Sequence, residues 1–187
     1  MYEAKSVTLE PGMIPAAVAI ALREGDDGPE ALFIQRADRA GDTWSGQIAF
    51  PGGRREPSDP HLRATAIRET REEVGVDLTD AQRLGVLDDM YPRTPILPPV
   101  VVRPFVFGLV DRPPLTLNDE VQDAFWLSLR ALTAPGVQRD VTIQHLAPER
   151  VFPAYVLENR TIWGMTERIL ANLLSLAKST SSLDNIK

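Results

Sequence analysis

The chain has 187 residues, 43% apolar and 25% charged, enough for a domain with a buried core. It has a formal net charge of −6, two histidines and no cysteine. Disulfides, thiolate metal sites and thiol nucleophiles are excluded, multi-histidine zinc sites and a broad nucleic-acid footprint are disfavoured, and a reducing cytoplasm is the expected compartment.

Taken in chain order, the first long apolar run is MIPAAVAIAL. It is too short to span a membrane, and the acidic stretch before it lacks the basic start of a signal peptide. It reads as a buried strand over 16–22. REGDDGPE then reads as a hairpin loop leading to a second strand over 31–35. Further strands are expected at 47–50, 83–90, 100–110 and 124–127, with a short one at 151–157. Each is rich in Val, Ile, Phe or Leu and bounded by turn residues.

The best helix is 60–74. Asp59 is the expected N-cap, Pro60 a first-turn residue and Gly75 the stop. Ile67, Thr70 and Val74 form its core stripe. A short turn is expected at 128–132. A second helix is expected at 162–177, with Ile162, Met165, Ile169 and Leu173 facing the core. YPRTPILPP reads as a loop whose prolines hold the chain extended. The elements predict one mixed α/β domain over 1–178 and a disordered polar tail over 179–187.

FPGGRREPSDPHLRATAIRETREEVGV carries the chemistry. Glu69, Glu72 and Glu73 stand at i, i+3 and i+4, so they share one helix edge just after a glycine turn. Arg68 reaches Glu72 at i, i+4, leaving Glu69 and Glu73 to other partners. Three acids against one arginine suit a hard divalent cation with oxygen ligands, magnesium or manganese. The Gly52–Gly53 pair allows close backbone approach, so a main-chain carbonyl can join the ligand set. Spacing alone also fits a solvated acidic face paired with Arg63, Arg68 and Arg71.

The segment resembles the Nudix box, G-x5-E-x7-R-E-U-x-E-E-x-G-U, with U a bulky aliphatic. Gly53, Arg68, Glu69, Glu72, Glu73, Gly75 and Val76 match. Asp59 stands for the first Glu, the spacer to Arg68 is one residue longer, and Thr70 replaces an aliphatic residue. Thr70 is expected to direct its hydroxyl to its own helix backbone. LFIQRADRAGDTWSGQIAFPGG is similar to the coenzyme A pyrophosphatase-like branch, matching at Arg36, Ala37, Gly46, Phe50 and Pro51. That signature is one residue long here, its central arginine is displaced to Arg39 or absent, and Trp44 stands near a customary histidine.

The resemblance implies an α/β/α sandwich with a mixed central sheet. It implies hydrolysis of a pyrophosphate bond in a nucleoside diphosphate derivative, in which water attacks one phosphorus and the other phosphate leaves. Glu69 and Glu73 are the implied principal Mg2+ or Mn2+ ligands, with Glu72 auxiliary and the Gly52 carbonyl a further one. Arg68 is implied as an orienting partner, and Glu120, just before a strand, as ligand or base. Substrate contacts are expected from Arg36, Arg39, Trp44 and Arg54, and more weakly from Arg55, Arg93 and Arg103. Trp163 is assigned to core or interface, His61 to a first-turn surface position, and His145 has no assigned role.

Coenzyme A or an acyl-coenzyme A is the leading substrate, giving (acyl-)4'-phosphopantetheine and adenosine 3',5'-bisphosphate. ADP-ribose, dinucleotides or nucleoside triphosphates are the same-chemistry alternative, and a non-catalytic nucleotide-binding module the other. The expected partner is thus a small nucleotide, with no nucleic acid and no membrane. Glu69→Gln and Glu73→Gln are both expected to leave the fold intact, on the reading that both residues face out from the core.

Overall fold

The computed structural model describes residues 2–41, 44–92, 98–143 and 150–184. Arg93 and His145 lie outside them. In chain order come β1 (Ile14–Gly25), β2 (Gly28–Arg36), β3 (Ile48–Ala49), β4 (Gly52–Arg54) and α1 (Leu62–Val74). There follow β5 (Gln82–Val86), β6 (Val100–Leu109), β7 (Val121–Ser128), α2 (Leu129–Leu132), β8 (Gln138–Ile143), β9 (Arg150–Leu157), β10 (Arg160–Trp163) and α3 (Gly164–Asp184).

The central sheet is mixed. β1 runs parallel to β6 along most of its length, and β6 pairs antiparallel with β5 at the edge. On its other side β1 pairs antiparallel with two partners: β2 near the hairpin, at Leu22–Gly25, and β4 further back, at Ala16–Val18. β2 likewise pairs with β1 at its start and with β3 near its end, while β7 covers its opposite edge. So β1 and β2 are joined at the hairpin and then diverge. The short strands β3 and β4, linked through Phe50 and Pro51, fill the wedge between them. A second sheet, β8–β9–β10, is an antiparallel meander.

Side chains alternate along the central strands, so the sheet feeds two cores. Ala17, Ala19 and Ala21 of β1 and Leu32 and Ile34 of β2 join Phe105, Phe107, Ala66 and Val74 under α1. Ala16, Ile20, Ala31 and Phe33 face the other way, into a cluster with Tyr155, Ile162, Ile169 and Leu173 under α3 and the second sheet. Small alanines on the α1 face let the helix sit close to the sheet. The result is the expected α/β/α sandwich.

Several boundaries differ from expectation. The first hairpin is tighter, because the strands run through to Gly25 and Gly28 with a two-residue turn between them. The strand expected over 83–90 ends at Val86, and Met90 makes only an isolated bridge to Val102. Ile162 and Trp163 belong to β10, not to a helix; Gly164, with φ of 71°, makes the turn into α3. Ile162 is buried as expected, but from a strand. Trp163 packs on Phe152, ring centroids 5.3 Å apart. The polar stretch expected as a tail continues α3 through Asp184, since neither Gly nor Pro interrupts it there. Among the described residues no helix is long and apolar enough to cross a membrane.

Candidate active site

α1 begins two residues later than its sequence signals suggest. His61, not Asp59, is the N-cap, its Nδ1 accepting from the Ala64 amide at 3.0 Å. Asp59 is instead buried at 5% exposure and serves as an anchor. It accepts from the Glu56 amide at 2.9 Å and the Thr65 hydroxyl at 3.0 Å, and Arg68 donates to both its oxygens at 3.1 and 3.0 Å. The Arg68 guanidinium holds the Asp59 carboxyl down at about 2.

Arg68 is the hub of this edge. Beyond Asp59 it donates to the Arg54 carbonyl at 3.1 Å and pairs with Glu72 at 2.9 Å and Glu69 at 3.0 Å. The i, i+4 pair was foreseen; the contact with Glu69 was not, so Arg68 does not leave Glu69 aside. Thr70 donates its hydroxyl to the Ala66 carbonyl at 2.7 Å, the backbone bond expected of it.

The three glutamates differ sharply. Glu72 is exposed and Glu69 largely covered. Glu73 is 2% exposed, so it does not face out from the core. Its Oε2 accepts from the Gly52 amide at 2.8 Å. Desolvation pushes Glu73 up to about 8, with the charges of Glu69 and Glu120 adding and the Gly52 amide and Arg36 opposing. Burial raises Glu69 too, against the pull of Arg68.

The glycines make this approach feasible. Gly52 has φ of 152°, and a Cβ there would meet the Ala17 carbonyl oxygen at 2.3 Å. A Cβ on Gly53 would lie 2.4 Å from the Glu69 carboxylate. The wedge strand β4 therefore presses bare backbone against the acidic edge of α1.

The segment after β6 closes the site from the far side. The amides of Thr116 and Asn118 donate to the Val74 and Glu73 carbonyls at 2.9 and 3.1 Å, satisfying α1's last carbonyls. Gly75, with φ of 74°, ends the helix as its sequence position suggests. Glu120 is thereby brought beside α1, and its carbonyl accepts from the Ala37 amide at 2.8 Å. Its carboxylate pairs with Arg39 at 3.1 Å, and Arg39 also grips Asp119 at 3.0 Å. Arg36, at the end of β2, acts electrostatically on Glu73.

The fold thus brings Gly52, Arg68, Glu69, Glu72, Glu73, Glu120, Arg36 and Arg39 to one region. Trp44 is half-buried and packs against the core on the α3 face. The Arg54 side chain is exposed, and only its carbonyl joins the Arg68 network. Arg55 bonds the Asp59 carbonyl, and Arg103 makes a two-point pair with buried Asp89 at 2.7 Å, so both serve structure. Sequence reasoning missed Asp59 as the Arg68 anchor and Asp119 as an Arg39 partner. The acid-rich run NDE beside a strand was the available signal for the second.

The donor set tests what group fits here. It is made of hard oxygens, and Glu73 is a buried carboxylate whose ionised form is only partly compensated by the Gly52 amide and Arg36, a deficit that a divalent cation would make up. Among the described residues no three acidic or histidine side chains converge as they stand to hold an ion, and Arg68 sits between Glu69 and Glu72.

The NUDIX domain family model matches residues 13–145. The chain belongs to the Nudix hydrolases, a family acting on pyrophosphate bonds and generally using divalent metals. It is 30% identical over 167 residues to the mitochondrial coenzyme A diphosphatase NUDT8 of Mus musculus, covering 86% of this chain and 77% of that protein. It is 34% identical over 169 residues to an uncharacterized protein of Schizosaccharomyces pombe, covering 78% of this chain and about half, 50%, of that longer protein. Among solved structures, a MutT/nudix family protein from Enterococcus faecalis superposes with a TM-score of 0.61 at 19% identity, covering 92% of this chain and 65% of that one.

Proposed function

We propose that this protein hydrolyses the pyrophosphate bond of coenzyme A or an acyl-coenzyme A. Water adds to one phosphorus, the P–O–P bridge breaks, and the products are (acyl-)4'-phosphopantetheine and adenosine 3',5'-bisphosphate. The observation that carries the chemistry is the Glu73 carboxylate, sunk against the Gly52 amide beside Glu69. The substrate is supported by the similarity to NUDT8 along most of the chain and by the match at Arg36, Ala37, Gly46, Phe50 and Pro51.

Glu69 and Glu73 would hold Mg2+ or Mn2+, with Glu72 and the Gly52 carbonyl as further ligands. When bound, such an ion polarises phosphoryl oxygens and lowers the pKa of water. The remaining work belongs to the chain. Arg68, fixed by Asp59, orients Glu69 and Glu72. Arg36 and Arg39 offer guanidinium forks to the phosphates. Glu120 accepts the proton of the attacking water once substrate draws Arg39 away. Arg54, whose exposed side chain follows the glycine pair, is a further substrate contact, while Trp44, packed against the α3-side core, supports the fold.

The test is a panel of coenzyme A, acetyl-coenzyme A, ADP-ribose, a diadenosine polyphosphate and a nucleoside triphosphate, with and without Mg2+ or Mn2+, products resolved by chromatography. Metal-dependent release of adenosine 3',5'-bisphosphate is expected. Faster turnover of ADP-ribose or the dinucleotide would replace the substrate assignment, and no turnover of any compound would favour a binding module.

A further inference from the structure

The opposite flank of α1 holds a second feature. A cleft of about 440 Å³ lies between α1 and the edge of the central sheet. Arg63, Arg68, Arg71 and Arg83 line it, against one acid, Asp59. These are four of the chain's 20 basic residues, gathered in one place on a molecule of net charge −6. Glu69, Glu73, Arg36 and Glu120 do not line it; Arg68, which does, is shared with the acidic edge through its pairs with Glu69 and Glu72.

The charges in the cleft are not balanced from within. Asp59 is committed to Arg68 and Thr65. Asp77, outside the cleft lining, accepts from the amide and hydroxyl of Thr79 at 2.9 and 2.6 Å and offsets Arg71 in part. Among the described residues neither Arg63 nor Arg83 makes an ion pair or side-chain hydrogen bond. Arg63 also stands in the first turn of α1, which has no acidic residue. A cation there opposes the helix dipole, an arrangement that an anion in the cleft would relieve.

The shape adds to the charge. Arg63, Ile67 and Arg71 follow one another at i, i+4 and i+8, so α1 presents an apolar residue between two guanidinium groups. Leu78 and Phe107 back the cleft. Guanidinium forks arriving from a helix and from strand β5 match the several oxygens of a phosphate, and the volume admits an attached organic group.

We propose that this cleft is a second ligand site, distinct from the reaction site, which takes a small phosphate-bearing metabolite. Its phosphate lies among Arg63, Arg71 and Arg83, and its organic part rests toward Ile67 and Leu78. The site does not depend on the identity of the substrate proposed above.

Calorimetric titration in EDTA with two probes, inorganic pyrophosphate and adenosine 5'-monophosphate, tests this, with amide chemical shifts locating the contact. Saturable binding is expected, with shifts at Ala64 and Thr79. It should persist in Glu73→Gln. In the double variant Arg63→Gln/Arg83→Gln it should weaken about tenfold or more while hydrolysis is unchanged. Thr79→Glu, which places an acid at the rim and removes no arginine, should weaken it similarly and serves where the double variant fails to fold. Absence of saturable binding by both probes overturns the proposal. So does binding that survives the arginine changes but disappears in Glu73→Gln.

Discussion

Asp59 shows how far one side chain can stand from its sequence signal. A residue of cap type before a proline reads as a helix cap, yet it is buried and bonded to Arg68, which braces two of the three glutamates. Its folded pKa of about 2 lies below the ordinary value of 3.8. The ionised form is therefore the stabilising one. The contribution is complete above about pH 4 and is lost as pH falls toward 2. Asp59→Asn should cost about 2–3 kcal/mol at pH 6, since Arg68 keeps its other partners, and the gap to wild type should close toward pH 2. Denaturant unfolding of both proteins across that range measures it. Glu73→Gln keeps an acceptor for the Gly52 amide and replaces a carboxyl that, pushed up to about 8, is mostly neutral at pH 7. It should not destabilise the metal-free protein at pH 7, and should reduce metal-dependent turnover about 100-fold or more. A large drop in melting temperature with turnover retained would contradict both halves of that reading.

At the scale of elements, the decisive contact is between β4 and α1. β4 has three residues, and two of them are glycines with a carboxylate close above each. A methyl group at Gly53 would have to displace the Glu69 carboxylate, the flexible end of a side chain, so the backbone need not move. Gly53→Ala should thus lower turnover about tenfold with a melting temperature near wild type, a split that kinetics and calorimetry read separately. α1 itself is held by the segment 116–118 at one end and by Asp59 at the other. Both of its ends are tied to neighbouring chain, which fits a helix that must present charged groups in register.

Across the whole molecule, the two faces of the central sheet feed separate cores, one under α1 and one under α3. Phe33 is fully buried on the α3 side, stacked on Phe50 with centroids 4.6 Å apart. Phe50 leads directly into Pro51 and Gly52, so this packing also sets the wedge that carries β4. Phe33→Ala should cost about 3–5 kcal/mol and lower turnover as well as stability. Phe107→Ala, on the other face, should cost a similar amount and empties the α1 side instead. Thermal unfolding paired with activity at a temperature where both variants remain folded distinguishes them.

By itself the sequence determined what is local or periodic. The acidic edge of α1, its glycine stop, the hydroxyl bond of Thr70 and most central strands were legible because helix spacing, turn residues and apolar runs act over a few positions. The family was legible for the same reason, its motif being one contiguous stretch. Tertiary structure decided everything set by burial and long-range pairing. It buried Glu73 rather than exposing it, turned Asp59 from cap to anchor, and made Ile162 and Trp163 a strand. It also joined Arg39 to Glu120 across some eighty residues and opened a basic cleft behind the acidic edge. Those outcomes depend on which surfaces meet when β1 and β2 diverge around the wedge, and no short window of residues contains that information.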